Sequence, residues 1–219
     1  MAQLLGLVGL IGSGKGTVAT MFSESDGYTE DSFASPLKDV VSAIFGWPRH
    51  LMEGSTAESR EFRNTPDIFW SRKTDIPNFT PRLAMQLIGT DVLRDHFHNN
   101  IWIDSLEYRL RCHSENTKIV ISDARFRNEV DLIKQMNGKV IWVQRGELPE
   151  WWDTATLAHE NAISRKIMKT KYKDVHESEW NWAGYDVDYI IKNDGSIEEL
   201  ANKVSEIQSC LTMPKLKIV

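Results

Sequence analysis

Cysteine is nearly absent from this chain. Cys112 and Cys210 are the only two in 219 residues. They make no zinc spacing and no disulfide framework, so both read as reduced thiols of a cytosolic protein. No apolar run is long enough to cross a membrane. Positive charge is not in excess either. A net charge of −5 removes any broad basic field, so nucleic acid is not an expected partner, and an anionic substrate would need a local cluster of Arg and Lys. The histidines lack an HExxH-like spacing, nothing resembles a nucleophile elbow, and there is no internal repeat or low-complexity tract. The first residues carry no basic flank and reach a glycine loop by Gly9, which reads as a first strand and not as a signal peptide. What remains is an ordinary globular composition, 41% hydrophobic and 26% charged, suited to a single domain over residues 1–219.

The organising stretch runs from Leu4 to Thr17. Leu4, Leu5, Leu7 and Val8 form a short apolar run fit for a buried strand. The chain then turns through Gly9, Gly12 and Gly14 and ends at Lys15, Gly16 and Thr17, where a helix starts with Val18, Ala19 and Phe22 on one face. Strand, glycine loop and helix N-terminus make a phosphate cradle. The glycines let backbone N–H groups approach, the helix start adds unpaired donors, and the lysine adds a mobile charge. Gly9-x4-Gly14-Lys15 fits the Walker A spacing with one departure: Gly16 follows the lysine and the hydroxyl comes at Thr17. That variant resembles the Gly-Lys-Gly-Thr loop of nucleotide and nucleoside monophosphate kinases. A glycine-rich strand-to-helix turn that binds nothing is the plain alternative.

The stretch from Tyr28 to Ala34 has room for a short second strand. Ser35-Pro36 opens a helix with Ser as N-cap, Leu37, Val40, Val41, Ile44 and Phe45 as its stripe, and Gly46 as its stop. Lys38 in its first turn opposes the helix dipole, which hints at an anion; a solvated lysine is the alternative. Residues 49–80 are polar, with Arg49, Arg60, Arg63, Arg72 and Lys73, and read as a helical flap. Thr80-Pro81 opens a helix that Gly89 is expected to stop, Thr90 caps the next through Phe97, and a third runs from Ile101 to Leu110. Ile119–Ile121 and Val140–Val143 are buried strands, with a helix from Glu129 to Met136 between them. Residues 146–185 lack periodicity but hold Trp151, Trp152, Trp180 and Trp182, and read as a lid-like or partner-facing segment in which the tryptophans are more often packing than base platforms. Val187–Ile191 is a last strand, and Ser196 with Glu199 caps the final helix.

Strands alternating with helices predict an α/β, doubly wound, mainly parallel sheet, with a helical flap (49–80) and a lid-like segment (146–185); the resemblance of the glycine loop implies P-loop kinase architecture for it. Ligands of such sheets bind beyond the carboxyl ends of the strands. That rule puts the glycine loop, the segment after Ile121 and Gln144-Arg145 on one rim. Phosphoryl transfer needs aligned anions, a divalent ion and positive groups. Lys15 suits the β- and γ-phosphates. Thr17 and Asp123 suit Mg²⁺, held through water, and Asp123 is otherwise a turn or cap residue. Arg125 and Arg127 suggest a phosphate clamp or else a solvated helix start. Arg125 and Glu129, four apart, are also placed to pair with each other.

Four blocks together resemble phage-type deoxynucleoside monophosphate kinases. They are Gly12-Ser13-Gly14-Lys15 with Thr17; Arg82 through Asp91 followed by Trp102; Asp123-Ala124-Arg125 with Glu129; and His176 with Glu179, followed by Asn193-Asp194-Gly195-Ser196. Ser35-Pro36-Leu37-Lys38-Asp39 fits the helix start after the family's second strand. The resemblance implies an enzyme that moves the terminal phosphate of ATP to deoxynucleoside monophosphates for DNA precursor synthesis. It implies that Gly12, Ser13, Gly14, Lys15, Gly16 and Thr17 hold ATP with Mg²⁺, and that Lys38, Arg60, Arg82, Gly89, Trp102, Arg125 and Glu129 surround the acceptor, with Arg60 chosen over Arg63. Lys15, Asp123, Arg125 and Arg127 would carry the transfer. The partner is then a small nucleotide and not nucleic acid or a membrane. The place is the cytoplasm, that of the host if the gene is a phage's. A homodimer fits the family's habit, although no stripe here marks a dimer face. A dephospho-coenzyme A kinase or another small-molecule P-loop kinase is the runner-up, and a P-loop ATPase or switch protein comes third.

Overall fold

A computed structural model describes residues 3–114 and 116–212. Five strands, β1 (Gln3–Val8), β2 (Thr29–Asp31), β3 (Lys118–Ile121), β4 (Lys139–Gln144) and β5 (Tyr189–Lys192), form one sheet in the order β2-β3-β1-β4-β5. Every pairing is parallel, with Leu5 opposite Val120 on one side and Lys139 on the other. The doubly wound parallel sheet expected from the sequence is therefore present. Its central strands are near-continuous apolar runs because helices cover both faces. On one face Leu5 and Leu7 pack with Val18, Ala19 and Phe22 of α1 (Lys15–Asp26) and with Leu200, Val204 and Ile207 of the final helix, Ile197–Thr212. Gly6 faces the opposite way by strand alternation. A Cβ there would stand 2.3 Å from Ile133 Cδ1, so glycine lets the helix Arg127–Gln135 lie close on that side.

The chain divides into two compact units. One holds the sheet and consists of the chain up to Ser32 and from His113 onward; the other is Phe33–Cys112. The second unit is helical: α2 (Ser35–Phe45), a single 3₁₀ turn (Arg49–Met52), α3 (Ala57–Asn64), α4 (Ile68–Lys73), α5 (Pro81–Gln86), a π-helical stretch (Leu87–Phe97) and α6 (Ile101–Cys112). Its core gathers Val41, Trp47, Met52, Phe79, Ala84 and Met85, with Phe45 stacked on Trp47 at 4.5 Å. Thr80 caps α5 as expected, its Oγ1 accepting from Leu83 N–H at 3.1 Å.

Two expected cap or stop signals of the helical unit act otherwise. Ser35 does not cap α2: Ala34 holds that position, and the Ser35 hydroxyl instead accepts from Arg49 at 3.3 Å. Gly89 does not stop the helix begun at Pro81, and Thr90 starts no new one. The chain continues through both with wider hydrogen bonding, as in His98 N–H to Leu93 carbonyl at 2.9 Å. Gly89 is a packing glycine, since a Cβ there would meet Leu37 Cδ2 at 2.5 Å.

In the first unit α7 is Arg127–Gln135. Residues 146–185 resolve into α8 (Trp152–Leu157), α9 (Ala162–Thr170) and α10 (Glu177–Trp180). Trp151, Ala155, Ala158, Met168, Trp180 and Ala183 form their buried cluster. Trp142 of β4 stacks on Trp152 at 5.0 Å and meets Trp182 edge-on at 5.5 Å. The tryptophans thus fasten this segment to the sheet. The final helix, α11 (Ile197–Thr212), is capped by the Ser196 hydroxyl, which accepts from Glu199 N–H at 3.2 Å. Among the described residues no helix is long and apolar enough to cross a membrane.

Candidate active site

Strand β1 delivers the chain into a loop whose three glycines all have positive φ: Gly9 at 153°, Gly12 at 76° and Gly14 at 100°. Gly9 is the most constrained. A Cβ there would lie 2.4 Å from the Val143 carbonyl oxygen and 2.7 Å from Ser13 Oγ. Asn193, just past β5, donates from Nδ2 to the Ser13 carbonyl at 2.8 Å and braces the loop from the far side. Helix α1 begins at Lys15, so the last loop N–H groups belong to a helix N-terminus.

Lys15 is buried in this cradle, its Nζ donating to the carbonyls of Gly9 at 2.7 Å and Leu10 at 3.0 Å. Burial, and after it the Arg125 guanidinium, push its pKa down from 10.5 to about 8, against the pull of Glu179 and Asp123. An ammonium group held at such cost is poised for an anion. Thr17 stands exposed on the first turn of α1.

The rim beyond β3 supplies the next groups. Asp123 lies two residues past the strand and is felt at Lys15. Arg125 Nη1 donates to Glu179 Oε1 at 2.6 Å, and the other oxygen of Glu179 accepts the Ile11 N–H of the glycine loop at 2.7 Å. Glu129 meets Arg125 through the backbone. Its Oε2 accepts backbone N–H groups of Arg125 at 2.8 Å and Phe126 at 3.1 Å, the reach-back half of a capping box at the start of α7. Arg127 goes elsewhere. Its guanidinium donates to the Ala183 carbonyl at 2.9 Å and lies over the Tyr185 ring, while its N–H donates to Asn181 Oδ1 at 2.9 Å. Of the two arginines, Arg125 joins the Lys15 group and Arg127 ties down residues 181–185.

Of the residues that the family resemblance assigns to an acceptor, Arg125 and Glu129 belong to the sheet unit, and Lys38, Arg60, Arg82, Gly89 and Trp102 belong to the helical unit. Lys38 Nζ meets Glu53 Oε2 at 2.5 Å, and Arg49 binds both Asp39 and Glu53. Burial alone would raise the Glu53 carboxyl, but hydrogen bonds from Lys38 and Arg49 outweigh it and hold the group below its usual range. Arg60 Nη1 donates to the Ser55 carbonyl at 2.9 Å, and Arg63 Nη1 to the Glu53 carbonyl at 3.2 Å. Arg82 Nε donates to Asn64 Oδ1 at 2.8 Å. Lys38, Arg60 and Arg82 are therefore linked through the short stretch Glu53–Ser55 and through Asn64. Trp102 is buried, and its Nε1 donates to the Gly89 carbonyl at 3.0 Å. Neither Glu53 nor Asn64 stands out in sequence, because each acts on a neighbour's side chain and not on a motif.

A family model described as deoxynucleotide monophosphate kinase matches residues 50–158. A protein of Acanthamoeba polyphaga mimivirus bearing the deoxynucleotide monophosphate kinase name is 37% identical over 95% of this chain and 95% of its own length. The deoxynucleoside-5'-monophosphate kinase of Escherichia phage T5 is 27% identical over 63% of this chain and 74% of its own. Among solved structures, dephospho-CoA kinase from Campylobacter jejuni aligns over 96% of this chain and 97% of its own, at 14% identity and a TM-score of 0.47.

Proposed function

This chain belongs to the deoxynucleotide monophosphate kinase family, and on that premise we propose that it transfers the γ-phosphoryl group of ATP to the 5'-phosphate of a deoxynucleoside monophosphate, releasing ADP and a deoxynucleoside diphosphate. The observation that carries the chemistry is Lys15, buried at the head of β1 with a depressed pKa, with Arg125 and Asp123 acting on it. An acceptor phosphate oxygen forms the new P–O bond as the bond from the γ-phosphorus to the β,γ-bridging oxygen breaks, and ADP takes the electron pair. Loop N–H groups from Gly12 to Thr17 and the Lys15 ammonium hold the donor phosphates. Arg125 balances charge spreading over the transferred group. Lys38, Arg60 and Arg82 bind the acceptor phosphate. Trp102, through the Gly89 carbonyl, keeps the wall of that unit in place.

The oxygen donors Thr17 and Asp123 suit Mg²⁺, a hard ion that keeps several waters. Thr17 and Asp123 would hold such an ion, which would supply positive charge against the donor phosphates. We place the reaction in the cytoplasm, that of the host where the gene is viral. On this reading the whole chain works as one kinase domain, in which 49–80 serves the acceptor and 146–185 the donor side.

An ADP-release assay with ATP, Mg²⁺ and each nucleoside monophosphate, ribo and deoxy, tests this directly. Turnover with deoxynucleotides is expected. Turnover only with dephospho-coenzyme A keeps the Lys15 site and discards the substrate, and ADP release without an acceptor replaces the kinase with an ATPase.

A further inference from the structure

Glu179 belongs to a segment far from the glycine loop in sequence, yet it closes on that loop. One of its oxygens takes Ile11 N–H at 2.7 Å and the other takes Arg125 Nη1 at 2.6 Å. Its neighbours repeat the attachment. Trp180 is buried in the cluster against which Leu10 of the loop packs, and Asn181 holds the Arg127 N–H. The short helix α10 is itself fixed at its start, where His176 Nδ1 accepts from Ser178 N–H at 3.2 Å. Helix α10 therefore ties the glycine loop to the segment after β3, and Glu179 is the charged point of that tie.

The pair of donors it occupies is also the pair that a phosphate would use. A backbone N–H of a phosphate loop and a guanidinium on the ligand rim are the kinds of donor a phosphate group recruits. A carboxylate left between them would face the incoming phosphates with like charge. We propose that Glu179 is a positioning residue that stands in for a donor phosphate: it holds Ile11 N–H and Arg125 in place while the site has no nucleotide, and it yields them when the nucleotide binds. This rests on reading the Lys15 loop as the donor site. It makes the segment 146–185 responsive to donor binding, because moving Glu179 pulls on α10.

The test is ADP binding by calorimetry, without acceptor, for the parent protein and for Glu179→Gln. The glutamine keeps an acceptor for Ile11 N–H and removes the charge that competes with phosphate. ADP is expected to bind roughly tenfold tighter to the variant, as one charge-assisted contact no longer has to be given up. A role confined to structure would leave affinity unchanged or weaken it, and either result overturns the proposal. Glu179→Ala is expected to bind ADP more tightly too, and comparison of melting temperatures separates misfolding from a lost contact. Failure of the parent protein to bind either ADP or ATP would instead overturn the donor-site reading itself.

Discussion

Asn64 holds Arg82 by a single hydrogen bond, Nε to Oδ1 at 2.8 Å, while its own Nδ2 donates to the Arg60 carbonyl at 2.7 Å. One exposed carboxamide therefore links two guanidinium-bearing residues of α3 and α5. If those arginines bind the acceptor phosphate, Asn64→Ala raises the acceptor KM several-fold, leaves the ATP KM unchanged and shifts stability by no more than about 0.5 kcal/mol. Arg60→Ala and Arg82→Ala go further, about tenfold to a hundredfold in acceptor KM, the range of a lost charged hydrogen bond. Initial-rate kinetics with each substrate varied separately check this. A change confined to the ATP KM would assign the flap to the donor.

Arg63 behaves differently from Arg60 although both lie on α3. Its Nη1 donates to the Glu53 carbonyl, and its guanidinium crosses so close to Gly54 that a Cβ there would stand 2.0 Å from Nη1. Arg63→Ala is expected to lower the unfolding free energy by about 1.5–3 kcal/mol, the scale of a hydrogen bond to a charged group. Gly54→Ala destabilises as well, since φ is 75° there and the arginine must move. Urea unfolding of the two arginine variants separates a stability role from a substrate role.

The depressed pKa of Lys15 sets the pH dependence of nucleotide binding. In the free protein the ammonium is held down to about 8, by burial first and Arg125 second. Phosphates favour the charged form, so affinity is full below pH 8 and falls as pH rises through that value. At pH 8 binding takes up about half a proton per nucleotide. Calorimetry in two buffers of different ionisation heat reads that uptake directly. Lys15→Ala is expected to abolish it and to lower kcat/KM by roughly a hundredfold to a thousandfold.

The parallel sheet and the Lys15 loop were legible because each rests on local chemistry: apolar runs for β1, β3 and β4, and glycines at the turn. The nearness of Arg125 and Asp123 to Lys15 followed from the rule that the loops at the carboxyl ends of the strands share one rim. The π-helical run was not legible, since Gly89-Thr90 carries the usual signal for a stop and a cap, and only Leu37 shows why glycine is needed without a break. The tie from Glu179 to Ile11 was hidden for another reason. It spans 168 positions, and no periodicity or spacing reports a contact of that kind. The resemblance marked Glu179 as part of a block and left its role open.

Gly9 offers a sharp test of the loop. Its φ of 153° and the 2.4 Å approach to the Val143 carbonyl leave no room for a methyl group, and backbone cannot swing aside as a side chain does. Gly9→Ala is expected to lose nucleotide binding and about 1–3 kcal/mol of stability, because strain and overpacking act together. Gly12→Ala separates the two effects. A Cβ there meets nothing within 4 Å, and only the φ of 76° opposes it, so its stability loss is smaller. Equal melting temperatures for the two variants would mean that the β1–β4 contact beneath the loop is looser than its geometry.

Trp182 tests whether the 146–185 segment is fastened to the sheet. It is about 1% exposed and meets Trp142 of β4 at 5.5 Å and Trp152 at 5.2 Å. Trp182→Ala leaves a cavity between β4 and α8 and is expected to cost about 3–5 kcal/mol. Since α10 ends two residues before Trp182 and carries Glu179, the same cavity loosens the hold on Ile11. Hydrogen exchange at the Ile11 amide should therefore rise in Trp182→Ala more than at amides of β3. Uniform loss of protection across the sheet would show instead that the tryptophans stabilise the whole unit without a particular hold on the loop.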